Sequence, residues 1–291
     1  MAPPDKAPAG PRPARRRRDR RSPLASTALH TTLLLASVIA VFPVLWVLLT
    51  SLKPADQALT TDFVKDPGLG NYTRLVADSH FLDWFGNSVL VAGVTTVLAV
   101  TIAATTGYAV SRFRFPGMRP LMWTLLITQM FPMAILIVPL YTLMGQLGLL
   151  NQPVGLIVTY LTIAVPFCAW MMKGFFDTIP VEIDESGRVD GLNPFGVFWR
   201  LILPLARPGL AVTGFYAFVT AWGEVAYASA FMVGEENLTL AGGLQTFVTQ
   251  YTSDWGAMTA ASVLIAVPAA VFFLFAQRHL VAGMTAGATK G

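Results

Sequence analysis

Six long apolar runs cross this chain, and together they hold one charged residue. The runs cover residues 31–50, 88–110, 121–144, 154–172, 209–233 and 258–276, and the charge is Glu224. Each is long enough to cross a hydrocarbon core of about 30 Å at about 1.5 Å per helical residue. Charged residues make up only 12% of the 291, and hydrophobic ones 54%. A soluble domain carries about 25% charged residues, so this chain cannot cover a water-facing surface of its size. Lipid requires no polar cover, provided that the backbone satisfies itself in helices. The reading is an all-α polytopic membrane protein with six transmembrane helices. A disordered chain, a fibrous repeat and an ordinary soluble domain are excluded.

The cations orient the spans. With the N-terminus in the cytoplasm, the inner segments are 1–30, 111–120, 173–208 and 277–291, and they hold 17 of the 20 Lys and Arg residues. The outer segments hold only Lys53, Lys65 and Arg74, beside the acids Asp56, Asp62, Asp66, Asp78, Asp83, Glu235, Glu236 and Asp254. Positive charge collects on the cytoplasmic side of membrane helices, so both termini are expected there, in the cytoplasmic membrane. Residues 1–30, with Arg15–Arg18, Arg20 and Arg21, read as a disordered tail anchoring the first span, without a nucleic-acid partner. That span is too long for a cleaved signal peptide and reads as an uncleaved anchor. A six-helix permease domain would then cover 31–281, with an inner loop at 177–207 and an outer loop at 234–257, and 282–291 would be a cytoplasmic tail.

Catalytic constellations are missing from the sequence. It contains no G-x-x-x-x-G-K-[ST] phosphate loop, no G-x-S-x-G and no H-E-x-x-H. The single cysteine, Cys168, excludes a disulfide framework, and His30, His80 and His279 lie too far apart to suggest a metal cluster. The expectation is a chain that is not an enzyme and binds neither cofactor nor metal. Two polar residues inside spans are pathway candidates. Glu224 is one, because an acid in lipid is expensive, although a hydrogen-bonded packing role fits it equally well. Gln129, in Gln129-Met130-Phe131-Pro132, is the other, with helix cross-linking as its plainer role. Pro43, Pro132, Pro139, Pro166 and Pro268 each remove a backbone donor inside a span and are expected to kink it. Trp46, Trp84, Trp123, Trp170, Tyr251 and Trp255 are placed in a headgroup belt.

The loop after the fourth span carries the most information. A first short helix is expected from Thr178 or Ile179, with Pro180 in its first turn and Glu182, Asp184 and Glu185 at its positive end. Asp184 and Arg188, four apart, are expected to pair. Asp190-Gly191 supplies a left-handed stop, and Asn193-Pro194 caps a second helix. Phe195, Phe198, Trp199 and Ile202 follow the i, i+3, i+4, i+7 rule as one apolar stripe, and Pro204 ends the helix. Such a stripe calls for burial against helix ends or a partner protein.

Glu185-Ser186-Gly187, then Asp190-Gly191, then Ile202-Leu203-Pro204 resembles the cytoplasmic signature of binding-protein-dependent ABC importer permeases. That signature runs Glu-Ala-Ala, three residues, Gly, about nine residues and an Ile-x-Leu-Pro ending; here Ser186 and Gly187 replace the alanines, and Leu192 stands where a small residue is usual. The run 112–117 (Arg-Phe-Arg-Phe-Pro-Gly), the run 129–132 and the tail 277–291 are similar to the smaller permease subunit of maltose/maltodextrin-type carbohydrate importers.

The resemblance implies the type I permease fold of ABC importers and a heterodimer with a second permease. It also implies an ABC ATPase dimer, which holds ATP and Mg²⁺, and an extracytoplasmic sugar-binding protein. It places Glu182, Glu185, Ser186, Gly187, Asp190, Gly191, Pro194, Phe198 and Pro204 in an ATPase-coupling loop. Thr285, Ala286, Gly287 and Lys290 would touch the ATPase, and Tyr251, Thr252, Ser253, Asp254 and Trp255 would touch the binding protein. The cargo class is an oligosaccharide such as maltose, maltodextrin or trehalose. The rival class, a secondary transporter driven by an ion gradient, needs intramembrane ionisable groups and inverted repeats. Only Glu224 meets the first need, and no repeat is visible.

Overall fold

The computed structural model describes residues 23–54, 57, 58, 60, 62, 64, 66–248 and 253–288, with side chains through Arg278. Residues 1–22 of the Arg-rich tail lie outside the described residues. The chain divides into two compact units, 1–46 and 47–291. Among the described residues the fold is all helix, apart from one isolated bridge between Val248 and Ser253.

The elements run α1 (Pro23–Ser51), α2 (Gly70–Asp78), α3 (Phe81–Arg112), α4 (Met118–Thr128), α5 (Met133–Gln146), α6 (Pro153–Asp177) and α7 (Glu182–Val189). Then come α8 (Pro194–Val197), a π turn (Phe198–Ile202), α9 (Leu203–Leu205), α10 (Arg207–Trp222), α11 (Ala226–Phe231), α12 (Leu240–Gly243) and α13 (Trp255–Ala288). Four helices are long and apolar enough to cross a membrane, and six if each of two bent pairs counts as one span. Among the described residues α1 already covers Pro23–Ser51, so residues 23–30 of the expected tail are helical.

In the larger unit α3 packs along α6 and α10, and α10 along α13. Small residues allow that approach: Ala92, Ala99, Ala103 and Ala104 of α3 are buried. A Cβ on Gly107 would lie 2.8 Å from the backbone nitrogen of Lys173, so α3 and α6 meet backbone to backbone there. Two apolar clusters flank the ends of α3. One gathers Trp84, Tyr160, Trp222, Tyr227 and Phe231, and the other Tyr108, Met172, Phe176, Phe198 and Ile202.

Two spans break where the sequence runs are continuous. The run 121–144 is two helices, α4 and α5, meeting at 105°. The amides of Gln129 and Met130 turn back to Leu126 and Ile127, and Pro132, extended at ψ 127°, starts α5 without an N–H to continue α4. The run 209–233 stops at Trp222; Gly223 ends α10 and Glu224 opens the short α11. The segment 194–205 meets α10 at 79°. Trp84 leaves the expected headgroup belt, for it is 2% exposed and packed in the core.

Candidate functional site

The loop between α6 and α10 is built around one buried ion pair. Helix α7 starts at Glu182, not at Thr178 or Ile179, because α6 runs on to Asp177 and Thr178 caps it. Arg112, the last residue of α3, donates from Nε to Asp184 Oδ2 at 3.0 Å and from Nη2 to the Ile179 carbonyl at 2.8 Å. Tyr108, one turn earlier, donates to Asp184 Oδ1 at 2.7 Å. The Arg112 and Asp184 side chains are only 5% and 2% exposed. The expected Asp184–Arg188 pair is therefore not made. A guanidinium already desolvated beside the carboxylate binds it more strongly than a solvated residue one turn away on the same helix. Next to this lock Ser111 donates to Asp177 at 2.7 Å, and Lys173 bridges Asp177 at 2.5 Å. The end of α3 is thus pinned to α7 and to the end of α6.

Fixing Asp184 inward fixes the rest of α7. Gly187, one turn on, is also buried. A Cβ on Gly187 would lie 2.6 Å from Leu201 Cδ1, so the small residue is what lets the helix seat. The opposite face carries Glu182, Glu185, Ser186 and Val189, all exposed and spaced i, i+3, i+4, i+7. The turn chemistry follows the sequence. Gly191 sits at φ +86°, where a Cβ is disfavoured. Asn193 Oδ1 accepts from the Gly196 amide at 2.7 Å, and Pro194 is the first residue of α8.

The expected apolar stripe splits in two. The π turn, closed by the Leu203 amide on the Phe198 carbonyl, puts extra chain into one helical turn and breaks the 3.6-residue period. Phe198 and Ile202 face inward with Val197, and the Phe198 ring lies 4.8 Å from that of Tyr108. Phe195 (77% exposed) and Trp199 (56%) face outward. Pro204 lies inside the three-residue α9, one residue before its end. The structure therefore brings Glu182, Glu185, Ser186, Asp190, Gly191 and Pro194 to one exposed ridge, flanked by Val189 and Phe195, and sends Gly187 and Phe198 inside. Arg112 and Tyr108 complete the site. Arg112 was legible as a basic residue ending a span, but its partner 72 residues away was not.

Glu224 is buried and fully engaged. It accepts from the Tyr160 hydroxyl at 2.9 Å, from the Tyr227 amide at 3.0 and 3.1 Å and from the Ala228 amide at 3.3 Å. It caps α11 and ties that helix to α6. Gln129 donates to the Ile163 carbonyl at 3.0 Å and so cross-links the α4–α5 break to α6.

At the opposite end of α3 the segment 235–240 is held by its backbone. Trp84 Nε1 donates to the Glu235 carbonyl at 2.5 Å. Asn87 Nδ2 donates to the carbonyls of Glu236 and Leu238, both at 3.0 Å, and Ser88 Oγ accepts the Leu240 amide at 2.8 Å. Asp254 caps α13 through the Ala257 amide at 2.8 Å and lies 3.6 Å from Arg74. Ser253 pairs with Val248, and Trp255 begins α13. Tyr251, Thr252 and Lys290 lie outside the described residues. Thr285, Ala286 and Gly287 fall in the backbone of α13, with their side chains outside the described set.

Known proteins resemble this chain in sequence and in fold. Residues 99–286 match the family described as binding-protein-dependent transport system inner membrane component. The chain is 36% identical to the maltodextrin transport system permease protein MdxG of Bacillus subtilis, over 91% of this chain and 95% of that protein. It is 34% identical to the trehalose transport system permease protein SugB of Mycobacterium tuberculosis, over 87% and 93%. It is also 34% identical to the diacetylchitobiose uptake system permease protein DasC of Streptomyces coelicolor, over 86% and 92%. Its fold is similar to a chain of a bacterial ABC transporter that imports alginate, with TM-score 0.75 at 20% identity, covering 88% of this chain and 96% of that one.

Proposed function

This chain belongs to the binding-protein-dependent ABC importer permeases, in their carbohydrate branch, and from that premise we propose that it is the smaller of two permeases in an ATP-driven oligosaccharide importer. The cargo is an oligosaccharide such as a maltodextrin or trehalose, which two of the relatives' names print. The chain does no chemistry itself. ATP and Mg²⁺ sit on a separate ATPase dimer, a second permease completes the pathway, and a sugar-binding protein delivers cargo outside. Both termini face the cytoplasm, so the Arg112 end of α3 is the inner end.

One observation carries this reading: α7 presents Glu182, Glu185, Ser186 and Val189 outward while a buried ion pair locks its other face. A short amphipathic helix held this way suits a cleft on another protein, and the exposed Val189 and Phe195 beside it offer apolar contact. When ATP closes the ATPase dimer, α7 moves with it and the bent spans open outward. The loop 250–255 is the binding-protein contact, and 285–290 reaches the ATPase. Glu224 and Gln129 shape the pathway wall through the helices they join.

Tagged protein gently extracted from its native membrane should bring down an ABC ATPase and a second permease. Glu185→Ala should lower ATP-driven sugar uptake by about fivefold or more while the tagged protein still reaches the membrane. Recovery of the chain alone after mild cross-linking, or unchanged uptake by Glu185→Ala, would sink the coupling role of α7.

A further inference from the structure

Helix α3 is built differently from the other spans. It covers Phe81–Arg112 without a proline or a break, and its 32 residues span roughly 48 Å. Among the described spans, α1 contains Pro43, α6 Pro166 and α13 Pro268, and the remaining two are bent by 105° and 79°. A proline deletes an i→i−4 bond and softens a helix at that point. With no proline and no break, α3 runs as one continuous helix between its two fastened ends.

Both of its ends are fastened, the inner one to α7 and the outer one to residues 235–240, in the same outer loop as the proposed binding-protein contact at 250–255. At the inner end Arg112 and Tyr108 hold Asp184 of α7. At the outer end Trp84, Asn87 and Ser88 hold the segment 235–240 by four hydrogen bonds. The Trp84 ring also fills the space over Gly243, where a Cβ would lie 2.3 Å from it. On the α3 side each of these bonds is made by a side chain of the helix itself, near its end.

We propose that α3 is a rod that carries the nucleotide-driven movement of α7 to the outer segment 235–243, with Arg112 and Tyr108 as positioning residues at one end and Trp84, Asn87 and Ser88 at the other. The proposal rests on the coupling role of α7 given above. Movement of the inner ridge then reaches the outer surface directly, and the bent spans open around a link that does not yield. The coupling is reciprocal, so a protein bound to the outer segment pushes back on α7 through the same helix.

A reporter on the outer segment tests this. Cys168, the one native cysteine, is buried, so Glu236→Cys supplies a single accessible thiol. The maleimide labelling rate of that thiol is measured in the co-purified complex in nanodiscs, with and without Mg-ATP and vanadate. The parent should change its rate with nucleotide. The paired change Arg112→Gln with Asp184→Asn removes both buried charges together. Asn87→Ala with Ser88→Ala loosens only the outer end and leaves the ATPase face untouched. Both should cut the nucleotide-dependent change by about fivefold or more, with the ATPase still co-purifying. Should the paired inner variant fold poorly, Tyr108→Phe removes one hydroxyl and should give a smaller loss of the same sign. A variant that responds like the parent overturns the rod, and so does a parent that binds its ATPase yet shows no response. Absence of any ATPase from the parent preparation defeats the importer reading instead, and the rod with it.

Discussion

The two ends of α3 are fastened by different chemistry. The inner end uses side chain on side chain: a guanidinium and a phenol on one buried carboxylate, so the identity of Asp184 is specified as closely as that of Arg112. The outer end uses side chain on backbone: an indole, an amide and a hydroxyl meet the main chain of residues 235, 236, 238 and 240. The first arrangement fixes residue types on both elements. The second fixes the course of the outer segment through its main chain, and these four bonds set no residue type at 235, 236, 238 or 240. A surface that must recognise one partner gains from a free sequence on a fixed path, whereas a joint that transmits force gains from an ion pair that has no equal alternative.

Single substitutions can break this contrast. Arg112→Met should have the largest effect, because it strands the buried Asp184 charge, at a cost of about 3–5 kcal/mol. Thermal unfolding in detergent should show a large drop, and an unchanged midpoint would mean that the pair is not buried in solution. Gly243→Ala comes next. Its new methyl meets the Trp84 ring, and overpacking of that kind costs about 1–3 kcal/mol; the fluorescence of Trp84 should shift as the ring is displaced. Tyr108→Phe leaves one carboxylate oxygen short of a donor and should cost about 1–2 kcal/mol, read as a smaller fall in the same unfolding experiment. Asp254→Asn should be the mildest. Asn retains the cap on α13, and the exposed pair with Arg74 contributes about 0–1 kcal/mol, less at high salt. A Tm loss comparable to that of Arg112→Met would show that the outer end is charge-dependent as well.

Much of the inner site could be read in the sequence because its signals are local. Gly191 takes the left-handed turn that Asp190-Gly191 announces, and Asn193-Pro194 opens a helix as that pair does elsewhere. The stripe Phe195, Phe198, Trp199, Ile202 misled because periodicity assumes a uniform α-helix, and the π turn at 198–202 violates that assumption. Trp84 misled in another way. Its position near a span end suits a lipid belt, but the segment 235–243 folds over it and buries it.

By itself the sequence determined the apolar runs and the turn at 190–194. Both depend on transfer energies and dihedral preferences that act within a few residues. The tertiary structure alone decided which cation Asp184 meets, where the spans 121–144 and 209–233 break, and that Glu224 caps a helix. Those outcomes turn on which groups are desolvated together. Arg188 is near Asp184 along the chain and in water, whereas Arg112 is distant along the chain and buried with it, and burial with a partner decides where an ion pair forms.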